Sequence, residues 1–333
     1  MKKKHSPDSG LIVQYGCMLR TIPVPFSSPP LWPRLLLTLL GLAGCAPESG
    51  VSVAVAPANE RLGVSEQAIR IGTSAALSGP AGSVGQQLKL GTELVFNEVN
   101  AAGGVHGRRI EWIVLDDAYL ANRTRANTRR LLAPEEAVFA LFQYLGTPTV
   151  QAALPLLNAA ETPLIGAFTG AEFLRTPVQD FVVNIRASYF DEIESIVDRW
   201  VAAKRQRIAV LKVEDAFGQA MLAGTGLALA RHRLEPVGVV ATPPGVPVPA
   251  AAIARLRALQ PDGIVLSGTP LVLARLIREL RTAGQNDGTR SAALFTVSFV
   301  GTEGFASALR ATGLNADSSM YVSKVVPQPA TLI

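Results

Sequence analysis

The sequence predicts an α/β protein of two lobes, each a parallel sheet covered by helices on both faces. Three observations predict it. From residue 68 onward, short runs rich in Val, Ile and Leu alternate with longer stretches of helical period. Near residue 187 that alternation breaks and then starts again. The 289 residues from Cys45 to Ile333 also exceed one domain of about 150 residues, so two are expected. Strands joined by helices run parallel, because a parallel neighbour is reached only through a crossover.

The first element is a leader over residues 1–44. It holds five cations, Lys2, Lys3, Lys4, Arg20 and Arg34, against the single anion Asp8. The run Leu35-Leu36-Leu37-Thr38-Leu39-Leu40-Gly41-Leu42 falls far short of the roughly 20 residues that span a bilayer, so it reads as the apolar stretch of a signal peptide. Starting at Met18, with Arg20 and Arg34 ahead of that run, gives a leader of ordinary length, and residues 1–17 read as an upstream extension. Residues 45–67 begin small and polar and serve as a flexible linker.

The first lobe occupies 68–186. Ala68-Ile69-Arg70-Ile71-Gly72-Thr73 is a strand, and the loop 75–85 leads into a helix through Leu88, Leu94, Val95 and Val99 that Gly103-Gly104 closes. Strand 109–116, helix 122–132, strand 138–143, helix 148–160, strand 163–167 and a strand-like 181–186 follow. The second lobe, 187–321, repeats the scheme with helix 189–203, strand 207–213, helix 217–231 and strand 236–242. Helix 251–259, strand 263–267, helix 271–283 and strand 294–297 complete it. Pro243 to Pro249, four prolines in seven residues, reads as a surface loop. A last strand at 322–326 has no terminating helix after it, so the chain reads as truncated at its C-terminus.

Composition removes several classes of function. With 48% hydrophobic residues, disorder and a coiled coil are excluded. Of the 31 cations and 26 anions, five and one lie in the leader, leaving 26 against 25 beyond it. Nucleic-acid binding needs a basic face, and the basicity sits in the leader. Cys17 and Cys45 are the two cysteines, so neither a disulfide framework nor a Cys-rich zinc site can hold the folded part. Neither a nucleophile elbow, an H-E-x-x-H pair nor a P-loop is present. His106 and His232 sit beside arginines and read as solvated surface residues. Gly79, Gly82 and Gly85 have G-x-x-G-x-x-G spacing, which does not suit a dinucleotide, and Asp116-Asp117 reads as a cap for the next helix rather than a metal site. No cofactor is expected.

What remains are loops at the carboxyl ends of parallel strands, where α/β folds bind ligands. Thr147 stands at the N-cap position after strand 138–143, with Pro148 in the first turn; the helix start there can hold a carboxylate. Phe168-Thr169-Gly170, after strand 163–167, is well placed beside it.

Several motifs then carry a resemblance. Ile69-Arg70-Ile71-Gly72, Leu77-Ser78-Gly79-Pro80, the helix end from Asn97-Glu98 to Gly107-Arg108, the strand end Asp116-Asp117, and Val325-Val326-Pro327-Gln328-Pro329 resemble the periplasmic leucine/isoleucine/valine-type (type I) solute-binding proteins of ABC transporters. The resemblance implies two Rossmann-like lobes joined by three hinge crossings, near 184–188, near 322–326 and beyond Ile333. Residues 322–333 would then be the hinge return, with the rest of the first lobe missing. It also implies that Thr147 and Thr169, 22 residues apart, and Phe168 hold the ligand's α-carboxylate and α-ammonium. Val84 replaces an aromatic that relatives stack on the ligand, Phe217 a tyrosine, and Gly268-Thr269 a bulky contact. The acid that pairs with an ammonium falls at Ser298, with Glu303 as substitute. Leu42-Ala43-Gly44-Cys45 resembles a lipobox, which implies acylation of Cys45 and a periplasmic, membrane-anchored lipoprotein.

These readings point to the solute-binding subunit of an ABC importer, partnered by permease and ATPase subunits, that traps an amino acid or related small carboxylate or amide without catalysis. The alternative is a sensory receptor of the same fold; a nicotinamide enzyme is disfavoured by the glycine spacing. With Ser298 uncharged and Val84 small, the pocket is expected to be roomy and less aromatic, and to favour a carboxylate or amide without an α-amino group as much as a branched-chain amino acid.

Overall fold

The computed structural model describes residues 62–282 and 288–326, together with a strand at 12–15. In chain order the elements are β1 (Ile12–Tyr15), β2 (Ala68–Ala75), α1 (Gly82–Ala101), β3 (Arg109–Asp116), α2 (Ala121–Leu132), β4 (Ala140–Phe142), α3 (Thr147–Ala159), β5 (Leu164–Ile165) and β6 (Val182–Val183). Then come α4 (Tyr189–Ala202), β7 (Ile208–Val213), α5 (Ala216–Arg231), β8 (Gly238–Thr242), α6 (Ala250–Ala258), β9 (Gly263–Leu266), α7 (Pro270–Thr282), β10 (Ala293–Thr296), α8 (Thr302–Ala311) and β11 (Met320–Lys324).

The strands form two sheets, ordered β3-β2-β4-β5-β6 and β1-β11-β10-β9-β7-β8, and every pairing is parallel. The two α/β lobes expected from the alternation are therefore present. Each lobe starts in the middle of its sheet and reverses direction beside its first strand, between β2 and β4 in one lobe and between β7 and β9 in the other. Crevices open at the carboxyl ends of the strands at such reversals, and ligands bind there.

Local sequence explains the elements. Parallel strands are covered on both faces, so β7 and β9 are apolar and buried almost throughout. α4 begins at Ser188, whose hydroxyl forms a capping box with Asp191, and it buries Ile193, Ile196, Val197 and Trp200 along one side. Trp200 meets the edges of Phe295 and Tyr321, with centroids 6.4 and 6.2 Å away. The first lobe has its own core around Leu131, Leu141, Val150, Leu157 and Leu164.

Departures from expectation have physical causes. The strands expected over 138–143 and 163–167 shorten to β4 and β5 because Gln143 and Gly166 adopt φ of 46° and 65°, and the strand-like 181–186 reduces to β6. The last strand starts at Met320 instead of 322. α8 went unassigned, yet the parallel pairing of β10 with β11 requires a crossover; Phe305 and Leu309, four apart, form its buried side. β1 falls within the stretch read as leader and pairs with β11, Ile12 opposite Tyr321. The apolar run of the leader, Cys45 and the first part of the linker lie outside the described residues. Among the described residues, no helix is long and apolar enough to cross a membrane.

Candidate ligand site between the lobes

The first-lobe side is built at the reversal. Gly146, at φ 106°, precedes α3, and a Cβ there would fall 2.3 Å from a ring carbon of Tyr119. Only glycine fits, which makes Gly146 the cap and Thr147 the first helical residue, a correction to the N-cap position expected for Thr147. An isolated parallel bridge from Leu145 to Phe168 sets the two loops side by side. Thr147 Oγ1 and Thr169 Oγ1 consequently lie 2.8 Å apart, both fully buried, and Thr169 Oγ1 also accepts the Ala171 N–H at 3.2 Å. A hydroxyl pair beside the positive end of a helix dipole suits an anionic oxygen.

The second lobe answers with aromatic rings. Asp215 caps α5 by accepting the Gly218 N–H at 3.0 Å, which fixes the buried Phe217 at the helix start. Phe217 lies 5.4 Å from Tyr189 and 5.0 Å from Phe299, and Phe299 reaches across to Tyr119 and Phe168 of the first lobe at 5.8 and 6.3 Å. Among the described residues, Tyr119 Oη and Thr269 Oγ1 are buried without a hydrogen-bond partner, while the Tyr189 phenol stands beside Thr169. Each unpartnered group costs about 1–3 kcal/mol, so the two together mark a place that a polar ligand would satisfy. A crevice at the mouth is lined by Tyr119, Asp215, Phe217, Gly268, Thr269 and Pro244; the proline-rich stretch thus reaches the cleft, beyond its reading as a plain surface loop. Burial pushes the Asp215 carboxyl up, and burial, followed by the charge of Asp215, raises the Tyr119 phenol well above its usual value.

Thr147, Thr169, Phe168, Phe217 and Thr269 are brought to the interface, but other expectations need correction. Val84 is buried in the apolar cluster at the start of α1 and does not line the crevice. The cleft is not poor in aromatics, since Tyr119, Phe168, Tyr189, Phe217 and Phe299 meet there. Ser298 does not remove negative charge either: its N–H and hydroxyl donate to Glu192 at 2.7 and 2.9 Å, and Ser323 donates as well. Burial raises the Glu192 carboxyl, against the lowering influence of Arg186 and of these donors. Glu303 is exposed and lies 3.9 Å from Lys324.

Asp116-Asp117 does not cap α2. Asp116 accepts N–H groups of Leu77, Ser78 and Ala118 and the Ser78 hydroxyl, while Asp117 takes the hydroxyls of Ser74 and Thr124. Among the described residues, no cluster of His, Cys, Asp and Glu could hold a metal. His106 is exposed as expected, and His232 pairs with Asp198 at 2.6 Å on the surface. Sequence reasoning missed Tyr119, Tyr189, Phe299 and Glu192; Phe299 adjoins the expected Ser298, the one local signal that pointed to it.

Two parallel-sheet lobes that meet at their switch points define a bilobal binding protein. Residues 68–331 match the periplasmic binding protein family, and the chain belongs to it, in its type I form. A possible leucine/isoleucine/valine-binding protein from Rhodopirellula baltica SH 1 superposes with a TM-score of 0.67 at 32% identity, over 73% of this chain and 66% of that one. A substrate-binding periplasmic protein from Ralstonia solanacearum gives 0.65 at 28% identity, over 72% and 68%. An amino acid binding protein of Pseudomonas aeruginosa is 23% identical over 217 residues, 64% of this chain and 57% of the relative. The chain thus spans little more than half the length of that curated relative.

Proposed function

We propose that this chain is the extracytoplasmic solute-binding subunit of an ABC importer, trapping an amino acid or related small carboxylate or amide between its lobes and performing no catalysis. One observation carries the reading: the buried Thr147 and Thr169 hydroxyls, 2.8 Å apart at the first lobe's switch point, face a second lobe whose buried Thr269 hydroxyl has no partner among the described residues. The description of the Pseudomonas aeruginosa relative as an amino acid binding protein supports the ligand class. The domain plan belongs to the same proposal. Residues 1–44 are the leader, Cys45 carries the lipid anchor, 45–67 form the tether, and permease and ATPase subunits receive the ligand.

Hinge closure is the working step. The ring of Phe299 lies against Tyr119 and Phe168 of the first lobe, with Phe217 behind it, so a ligand enters when the lobes part. Thermal-shift and calorimetric titration with leucine, isoleucine, valine and their amides tests the reading. A ligand at 100 times its dissociation constant should stabilise the protein by about 2.7 kcal/mol. Silence across amino acids, amides and small carboxylates would defeat it.

A further inference from the structure

The turn that carries Tyr119 into the cleft is strained. Ala118 and Tyr119 follow one another at φ of 52° and 65°, left-handed conformations that glycine takes freely and a bulky residue rarely adopts. Neighbouring glycines make room for this turn. A Cβ on Gly79 would stand 3.0 Å from the Ala118 carbonyl oxygen, and one on Gly146 would meet the Tyr119 ring.

Two carboxylates hold the turn. Asp116 Oδ1 accepts the Ala118 N–H at 2.9 Å together with the N–H groups of Leu77 and Ser78, which ties the turn to the loop ahead of α1. The buried Asp117 divides its oxygens: Oδ1 accepts the Tyr119 N–H at 2.9 Å, while Oδ2 accepts the hydroxyls of Ser74 and Thr124 at 2.8 and 3.0 Å. Ser74 in β2 and Thr124 in α2 therefore fix the carboxylate that fixes Tyr119.

The phenol hydroxyl so presented has no use within the fold. Tyr119 Oη is buried and has no hydrogen-bond partner among the described residues, and Tyr119 lines the crevice with Asp215, Phe217 and Thr269. Backbone strain and an unpaired buried hydroxyl fall on one residue at a cleft, and such costs persist where binding uses them. On the reading of this cleft as the ligand site, we propose that Asp116 and Asp117 are positioning residues, which hold the strained Ala118-Tyr119 turn so that the Tyr119 phenol donates to an oxygen of the ligand.

Leucine titrated into the full chain by calorimetry, with urea unfolding of the same variants, tests the proposal. Ala118→Gly removes the left-handed cost and frees the turn, so its urea midpoint should rise while its leucine affinity falls several-fold. A turn that served the fold alone would gain stability and lose no binding. Tyr119→Phe should weaken leucine about tenfold. Asp117→Leu should weaken it by a similar factor, and Asp117→Asn, which still accepts the Tyr119 N–H, should recover most of the loss. If Asp117→Leu does not fold, Ala118→Gly and Tyr119→Phe decide. Unchanged leucine affinity in either of those two, or a lowered urea midpoint in Ala118→Gly, would overturn the proposal.

A fluorotyrosine placed at position 119 and read by fluorine NMR without ligand separates the turn from the ligand class. One narrow resonance in the otherwise wild-type chain that broadens or shifts toward its unfolded position in Ala118→Gly supports the proposal, and the same resonance in both overturns it. If the wild type ignores leucine, amino acids and amides alike, the importer ligand class fails, and the fluorine resonance alone decides whether the turn holds the phenol in place.

Discussion

Thr147 opens α3 and Thr169 lies in the loop after β5, yet their hydroxyl oxygens lie 2.8 Å apart and out of reach of solvent. Each can donate to or accept from the other, and one hydrogen bond between them leaves capacity on both oxygens for a ligand. Thr147→Ala removes one of the two. Leucine binding to the full chain should then weaken by about 1–3 kcal/mol, the cost of leaving a charged group one hydrogen bond short. Calorimetry reads this directly, and an unchanged affinity would take Thr147 out of the site.

Two glycines of α1 make a paired test of packing. A Cβ on Gly85 would stand 1.8 Å from the Ala76 carbonyl oxygen, whereas one on Gly91 would meet nothing within 4 Å. The glycine-rich entry to this helix therefore serves close approach of backbone to backbone and not a phosphate. Gly85→Ala should destabilise by several kcal/mol or prevent folding. Gly91→Ala should stabilise by roughly 0.5–1 kcal/mol, since alanine loses less conformational freedom in a helix interior. Urea unfolding of the two variants compares them; equal stabilities would contradict the geometry.

The strands of the second lobe were legible because a parallel strand buried on both faces reads as a continuous apolar run, as β7 and β9 do. Thr147 was legible because a small polar residue before Pro148 signals a helix start, although Gly146 proved to be the cap. The Glu192 to Ser298 bond joins residues 106 apart and the Arg186 to Ser298 bond residues 112 apart. Glu192 looks locally like any first-turn acid of a helix, and nothing beside it in the chain reveals Ser298. The same holds for Phe299, whose partners Tyr119 and Phe168 belong to two other loops and Phe217 to the start of α5. Interactions set by tertiary proximity leave no periodic trace.

The proposed lipid anchor makes its own prediction. Cys45 ends Leu42-Ala43-Gly44-Cys45 after a short apolar run, and acyl chains there would hold the protein at the membrane. In cell fractionation, Cys45→Ser should appear as soluble protein or keep its leader. Normal membrane retention of the cleaved variant would show that the anchor lies elsewhere.

Asp215 allows a pH test of the second-lobe wall. Burial raises its carboxyl above the usual 3.8, against the lowering effect of the N–H groups of Gly218 and Phe217. For a carboxyl raised in the folded state, the neutral form is favoured by folding. That contribution is present below the unfolded value near 3.8 and is lost as pH rises through the higher folded value. Asn caps a helix about as well as Asp and cannot ionise. Asp215→Asn should therefore match the wild type at pH 3.5 and be more stable at pH 7, with the gain developing as the wild-type carboxyl ionises. Urea midpoints at the two pH values measure it. A variant less stable at pH 7 than at pH 3.5, each relative to wild type, would mean that the ionised Asp215 is held by its N–H donors more strongly than burial opposes it.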